Sequence, residues 1–131
     1  MQHEDFLSVS TREFQRMKQL ADRAILQTSH GSFFRQPSAT DNSIAILVKH
    51  VSGNMRSRWT DFLTTDGEKP DRDREAEFVI LPEDTREALL SNWERAWATL
   101  FSTLVALDES QLERKVAIRG EPLTVLQAIV R

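Results

Sequence analysis

Apolar side chains recur at three- and four-residue steps in three long segments of the chain, which is the period of an amphipathic helix. In the first segment, about residues 4–28, the apolar positions are Phe6, Phe14, Met17, Leu20, Ala21, Ala24 and Ile25. In the second, about residues 43–64, they are Ile44, Leu47, Val48, Val51, Met55, Trp59 and Phe62. In the third, about residues 83–106, they are Leu89, Leu90, Trp93, Ala96, Trp97, Leu100, Phe101, Leu104 and Val105. The pattern predicts three helices of similar length.

Capping and breaking residues suggest where these helices begin and end. Ser10 and Glu13 are spaced as a capping box, so the first helix begins either near Glu4 or at Ser10. Gly31 is a candidate for its C-terminal stop. Pro82 suits the first position of the third helix, because its ring fixes a helical φ angle and its missing N–H is not needed there.

Two polar stretches separate the predicted helices. Residues 31–43, GSFFRQPSATDNS, predict a connector that ends in candidate N-cap residues for the second helix. Residues 66–77, DGEKPDRDREAE, are almost wholly charged. A mixture of both signs indicates a solvated loop, and a loop that covers the mouth of a site is the alternative.

The last part of the chain predicts two short helices. Asp108 and Gln111 are spaced to cap a helix over about residues 109–115. The segment VAIRGEPLT, residues 116–124, predicts an irregular or extended connector, and Thr124 is the candidate N-cap of a final helix over about residues 125–131.

Long helices joined by short connectors predict an all-α fold, an antiparallel up-down four-helix bundle that forms a single domain over residues 1–131. The final helix spans only about two turns, too few to match its neighbours. We therefore expect either that the fourth helix is cut short in this chain or that a partner subunit completes the bundle.

Composition and charge narrow the possible functions. The net charge is −3 and no basic run is interleaved with aromatic residues, so we do not expect nucleic-acid binding. Cysteine is absent, which leaves His3, His30 and His50 as the only soft-metal ligands. The N-terminus lacks the pattern of a signal peptide, and no apolar run approaches the length of a membrane span. A cytoplasmic protein without a membrane segment is the expectation.

His50 lies at the edge of the apolar stripe of the second helix. The helical turn angle places Asn54, Ser57 and Asp61 near it on one strip. Two interpretations stay open. The ring hydrogen-bonds a neighbour at the edge of the core, or it faces a polar pocket as a metal ligand or general base, with Asn54 beside it.

Other residues are candidates for the same pocket. Asp61 can serve as an acid or base near His50, although no second carboxylate is paired with it in the sequence. Arg56, Arg58 and Arg119 can bind an anionic substrate, and Arg119 precedes the last helix, where loops border a bundle's site. Surface ion pairing with the many carboxylates is the simpler interpretation of these arginines.

Three segments, SIAILVKHVSGNMRSRWTDFLTTDGEKPDRDREAEF, NWERAWATLFSTLVAL and VAIRGEPLTVLQAIVR, resemble the DinB-like (YfiT-like) superfamily, especially a bacterial subgroup of uncharacterised function. The resemblance covers nearly the whole chain. It implies a four-helix bundle with a divalent metal bound by three histidines, and zinc or nickel suits such ligands. His50 in VKHVSGN matches the ligand position on the second helix. The other two ligands form an HxxxH pair on the family's last helix, and this sequence does not contain that pair.

The resemblance implies a metal-dependent enzyme that acts on an unknown small molecule, by thiol S-transfer, isomerisation or hydrolysis. With one of three histidines present, we expect the metal to be absent or weakly bound in this chain. A non-enzymatic helical module that closes its apolar surface by homodimerisation is the alternative. A small-molecule binding protein that uses the pocket beside His50 without a metal is a further one.

Overall fold

The computed structural model describes residues 5–131, so Glu4 and His3 lie outside the described residues. The α-helices are α1 (Phe6–Gln27), α2 (His30–Phe34), α3 (Ile44–Trp59), α4 (Arg86–Ala106) and α5 (Val125–Val130). Strands β1 (Lys115–Ile118) and β2 (Glu121–Thr124) form a small sheet, and short 3-10 helices cover Glu75–Phe78 and Glu109–Gln111. The described chain is therefore mostly helical, and the prediction of a purely α-helical fold is corrected by the two strands.

Helix α1 begins at the earlier of its two predicted starts. The side chain of Asp5 accepts a hydrogen bond from the backbone N–H of Ser8, which caps the helix and lowers the pKa of Asp5. At the other end, the predicted stop at Gly31 is wrong. The Ser29 side chain accepts from the N–H of Ser32 and opens the short helix α2, and Gly31 lies inside it.

Helices α3 and α4 are shorter than predicted at one end each. Helix α3 ends at Trp59, before the predicted boundary at residue 64, because Thr60 has an extended backbone (φ −74°, ψ 127°), and Asp61 follows with φ of 48°. Helix α4 begins at Arg86, because the Thr85 side chain accepts from the N–H of Ala88 as its N-cap. Pro82 therefore precedes the helix and does not open it.

Helices α3 and α4 run in the same direction. Near the start of each, Lys49 Nζ lies 2.7 Å from Asp84 Oδ2. At the far end of each, Thr103 Oγ1 donates to the carbonyl of Trp59 at 2.9 Å. The prediction that consecutive helices alternate in direction is therefore wrong for this pair. Residues 60–85 connect the two helices and form a segment long enough to return along their length.

Helix α1 lies antiparallel to α4. The guanidinium of Arg86, at the start of α4, donates to the carbonyls of Ile25 and Thr28 at the end of α1. The backbone N–H of Leu7, at the start of α1, donates to Glu109 just after the end of α4. Because α3 runs parallel to α4, the connection through α2 reverses the chain between α1 and α3.

A single hydrophobic core surrounds α4. Its buried residues are Leu89, Trp93, Ala96, Trp97, Leu100 and Leu104, all predicted from the stripe, whereas Val105 is exposed. The rings of Trp59 and Phe62 stack in this core with centroids 5.0 Å apart, and Phe14 meets Trp59 edge-on. The tryptophans therefore serve as packing residues. The stripe of α1 is less well covered, because Met17 and Leu20 are half exposed.

The predicted extended connector is a β-hairpin. Its register pairs Lys115 with Thr124 and Ile118 with Glu121. The two turn residues, Arg119 and Gly120, both have positive φ angles, 54° and 77°. That pattern is typical of the two-residue turn that matches strand twist, and glycine adopts it without steric cost.

Two capping boxes lie near the end of the chain, of which the sequence predicted the first. Asp108 and Gln111 cap a single 3-10 turn, so the predicted helix over residues 109–115 is much shorter. Thr124 and Gln127 form the second box at the start of α5, and Thr124 is the predicted N-cap. Because Val125 N–H bonds to the carbonyl of Arg114, α5 starts directly beside the hairpin.

Candidate functional site

The charged segment after α3 packs back onto the helix in part, whereas residues 70, 71 and 73–76 are exposed, as the prediction of a solvated loop has them. Ser57, buried on α3, donates to the carbonyl of Gly67 at 2.8 Å and accepts from the N–H of Lys69 at 2.9 Å. The ammonium of Lys69 donates to the carbonyl of Ser57 in return. One small side chain on the helix therefore sets the path of the segment, by satisfying backbone groups that would otherwise lack partners.

Asp66 connects this segment to the hairpin. Its carboxylate accepts hydrogen bonds from the backbone N–H groups of Glu68, Arg119 and Gly120, at 2.7 to 2.8 Å. These bonds, from Glu68 and Gly120 first, lower the pKa of Asp66. Beside it, the N–H of Gly67 donates to the carbonyl of Ala117. The hairpin turn is thereby placed over the segment that follows α3.

A buried charge network lies between this segment and α3. Glu77 is 7% exposed, and the side chain of Arg72 is 4% exposed. Arg72 donates from Nε to Glu77 Oε2 and from Nη2 to Glu77 Oε1, both at 3.0 Å, and also reaches Glu68. The hydrogen bonds with Glu77 raise the pKa of Arg72. Two parallel bonds of this kind fix the position of the Glu77 carboxylate.

His50 is the third member of this network. Its Nδ1 lies 2.9 Å from Glu77 Oε1, and the imidazole ring packs 4.8 Å from the ring of Phe78. Because an ionised carboxylate only accepts hydrogen bonds, we assign the proton between them to Nδ1. The side chain is 24% exposed, and within residues 5–131 no hydrogen bond to Nε2 is found. Nε2 is therefore without a partner among these residues, as a metal ligand or a base requires.

Gly53 makes this arrangement sterically possible. A methyl group at its α-carbon would lie 2.1 Å from Glu77 Oε2 and 2.6 Å from Glu77 Cδ. Real side chains do not approach so closely, so only glycine lets the carboxylate cross the helix surface at this point. A glycine inside a helical pattern is the sequence signal that can reveal such a contact. Neither Gly53 nor Glu77 nor Arg72 is among the site residues predicted from the sequence.

The predicted pocket residues are less closely associated with His50. Asn54 is half-buried one turn further along α3, and within the described residues it makes no hydrogen bond to His50. Asp61 is exposed beyond the end of α3 and is not part of the network. Arg119 is 57% exposed in the hairpin turn, with Nε 3.6 Å from Glu68 Oε2, so it reaches His50 only through a chain of ion pairs.

Two further surfaces border α3. We call the first the α3–α4 groove. It has a volume of about 520 Å³, and its lining residues are Lys49, Ser52, Gly53, Arg56, Thr60, Glu77, Asp84, Leu89, Asn92, Arg95, Ala96 and Thr99. We call the second the α1–α3 cleft. It has a volume of about 210 Å³ and an apolar lining of Ala21, Ala24, Ile25, Ile44, Leu47, Val48, Val51 and Trp93. His50 lines neither of them.

A metal site cannot be completed from the described residues. Within residues 5–131 no three His, Cys, Asp or Glu side chains come together in a way that would bind a metal ion. His50 supplies one imidazole and His30 lies exposed on α2, whereas His3 lies outside the described residues.

None of the helices in the described part of the chain combines the length and apolar character that a membrane crossing requires.

Comparison with curated proteins and with solved structures gives no match. A family model described as a protein of unknown function (DUF1572) matches residues 2–131. The match spans almost the whole chain, and it includes every residue of the network around His50. The chain therefore belongs to the DUF1572 family.

Proposed function

We propose that this chain is a metal-dependent enzyme of the DinB-like type, in which His50 is one metal ligand. The observation that carries the proposal is the contact between His50 Nδ1 and Glu77 Oε1 at 2.9 Å. Histidines that bind metals usually donate their second ring N–H to a carboxylate, which fixes the tautomer and makes the other nitrogen a better ligand. In this chain the other nitrogen is Nε2.

Three neighbours support His50 in that role. Arg72 positions the carboxylate of Glu77 through two hydrogen bonds, and Phe78 packs against the imidazole ring. Gly53 leaves the space that the carboxylate occupies. Contacts of this kind hold the imidazole ring of a metal ligand in one orientation before the metal binds.

Among the described residues, His50 fits one ligand position of the metal site, and no second histidine lies beside it. The remaining ligands would come from outside residues 5–131, from a longer chain or from a partner subunit. Zinc or nickel suits imidazole ligands. A metal with open positions would polarise a substrate oxygen or activate a bound water or thiol. Thiol S-transfer or hydrolysis of a small cytoplasmic substrate remains an inference from the resemblance.

Metal titration of the full-length protein tests this proposal. We expect His50→Ala to abolish zinc or nickel binding, measured by elemental analysis and competition with a chelator. Glu77→Gln, which retains a hydrogen-bonding side chain, should weaken binding by about 10- to 100-fold. His30→Ala is the matched control, since this imidazole is exposed on α2 and packs against Phe34, which is not part of the network. A protein that binds neither metal, or binds it equally well after His50→Ala, rejects the proposal.

A second candidate, a non-enzymatic module that acts as a homodimer, is favoured by the α1–α3 cleft. Met17 and Leu20 on α1 and Leu47 and Val51 on α3 leave apolar surface exposed on both sides of it. Exposed apolar surface of this kind promotes association between identical chains. Light scattering should then give a dimer mass that falls to the monomer mass in Leu47→Glu. Leu26→Glu is the control, because Leu26 is exposed outside the cleft. A monomeric wild-type protein rejects this candidate.

A further inference from the structure

The α3–α4 groove is separate from the proposed ligand position at His50. The two share only Glu77 and Gly53: the Glu77 carboxylate contacts His50, and both Glu77 and Gly53 also line the groove. The groove volume of about 520 Å³ lies within the range of sites that bind small organic molecules, roughly 300 to 1,000 Å³. Its function can therefore be considered independently of any metal.

Most charged groups in the groove already have partners. Lys49 Nζ lies 2.7 Å from Asp84 Oδ2 and donates to the carbonyl of Val79 at 2.8 Å. Glu77 accepts from Arg72 and His50. Because opposite charges in these contacts offset one another, they contribute little net field to the groove.

Two arginines lack a charged partner. Arg56 on α3 forms no side-chain hydrogen bond or ion pair with any of residues 5–131. Arg95 on α4 donates only to the neutral amide of Asn92 within the same part of the chain. The two guanidinium groups come from the two helices that line the groove. Two unpaired positive charges there favour an anion, and guanidinium groups match the geometry of carboxylates and phosphates.

Ser52 provides an independent sign of an absent ligand. The residue is 6% exposed and lines the groove, yet its Oγ has no hydrogen-bond partner in the described structure. Buried hydroxyl groups almost always have a partner, so an unpaired one beside a cavity indicates a missing acceptor or donor. Leu89 and Ala96 add buried apolar surface to the lining, against which the body of an organic molecule can pack.

We infer that the α3–α4 groove binds a small organic oxyanion, a phosphate monoester or a dicarboxylate, whose charged head lies between Arg56 and Arg95. The Ser52 hydroxyl donates a hydrogen bond to the ligand, and the surface formed by Leu89 and Ala96 contacts its carbon skeleton. The inference does not depend on His50 or on a metal, so it stands or fails independently of the proposed function.

Calorimetric titration of the full-length protein with phenyl phosphate and with succinate tests the inference. We expect at least one of the two probes to bind with one site per chain. Arg56→Ala and Arg95→Ala should each weaken binding about tenfold or more, since each removes a charge-assisted contact. Arg56→Lys should weaken it less, because the charge remains. Arg23→Ala is the matched control, an exposed arginine on α1 away from the groove.

Ser52→Ala tests the hydrogen bond to the ligand specifically, because the loss of a neutral hydroxyl does not change a general attraction between charges. The variant should fold with undiminished stability in the absence of ligand, because the hydroxyl has no partner to lose, and should bind the probe several-fold more weakly. Failure of both probes to bind overturns the inference. So does a loss of affinity in Arg23→Ala equal to that in the groove variants, which would indicate only non-specific attraction.

Discussion

Replacing Gly53 by alanine tests the packing of the His50 network most directly. Alanine in a helix interior normally stabilises a protein, by about 1 kcal/mol relative to glycine. Here the added methyl group would lie 2.1 Å from Glu77 Oε2, against an ordinary separation of about 3.5 Å or more. The Glu77 carboxylate has to move by more than about 1 Å. That movement disrupts its hydrogen bonds to Arg72 and His50.

The size of the effect follows from those bonds. Each hydrogen bond to a charged group contributes about 1.5–3 kcal/mol, and Arg72, with a side chain only 4% exposed, would lose its main partner. Rehydration of the separated charged groups recovers part of this free energy, and the higher helix propensity of alanine offsets about 1 kcal/mol more. We expect Gly53→Ala to lower the free energy of unfolding by about 1–3 kcal/mol, the opposite sign to the propensity effect.

Urea denaturation followed by circular dichroism measures this change. With a slope of roughly 2 kcal/mol per molar urea, the midpoint should fall by about 0.5–1.5 M. Gly31→Ala is the control, because nothing lies within 4 Å of a methyl group at that helical position. In a Glu77→Ala background the clash is absent, so Gly53→Ala should become stabilising. A stabilising effect of Gly53→Ala in the wild-type protein would refute the proposed close contact.

Other predictions concern the segment after α3, its link to the hairpin, and the core. Ser57→Ala should lower the free energy of unfolding by about 1–3 kcal/mol, since Gly67 and Lys69 lose a buried partner; urea denaturation measures it. Because hydrogen bonds lower the pKa of Asp66 from 3.8, its stabilisation is present above about pH 4 and lost as the pH falls further. The difference in melting temperature between wild type and Asp66→Asn should therefore shrink as the pH falls below about 4, and a constant difference down to the lowest pH at which both fold would contradict this. Leu100→Ala should cost about 2–5 kcal/mol, because Leu100 is fully buried; a loss below about 1 kcal/mol would contradict its core position.

Local sequence signals identified much of the secondary structure. The stripe of α4 predicted six of its buried residues, and the spacing of Asp108 with Gln111 and the side chain of Thr124 predicted two caps. These features depend on residues three or four positions apart, so periodicity and capping chemistry suffice to find them. The same signals misplaced the start of α4, because Pro82 and Thr85 are both acceptable beginnings and only the fold selects one.

The sequence alone determined that this protein has long amphipathic helices, and it made His50 a candidate site residue. The tertiary structure decided the remaining features. It showed that α3 and α4 run parallel, that the charged segment packs onto α3, and that Glu77 contacts both His50 and Arg72. Those contacts join residues far apart in the chain, and their energy depends on burial and exact distance. The sequence does not show whether a charged residue is surrounded by water or paired with a buried guanidinium. Only the folded structure distinguishes a solvated loop from a charge network.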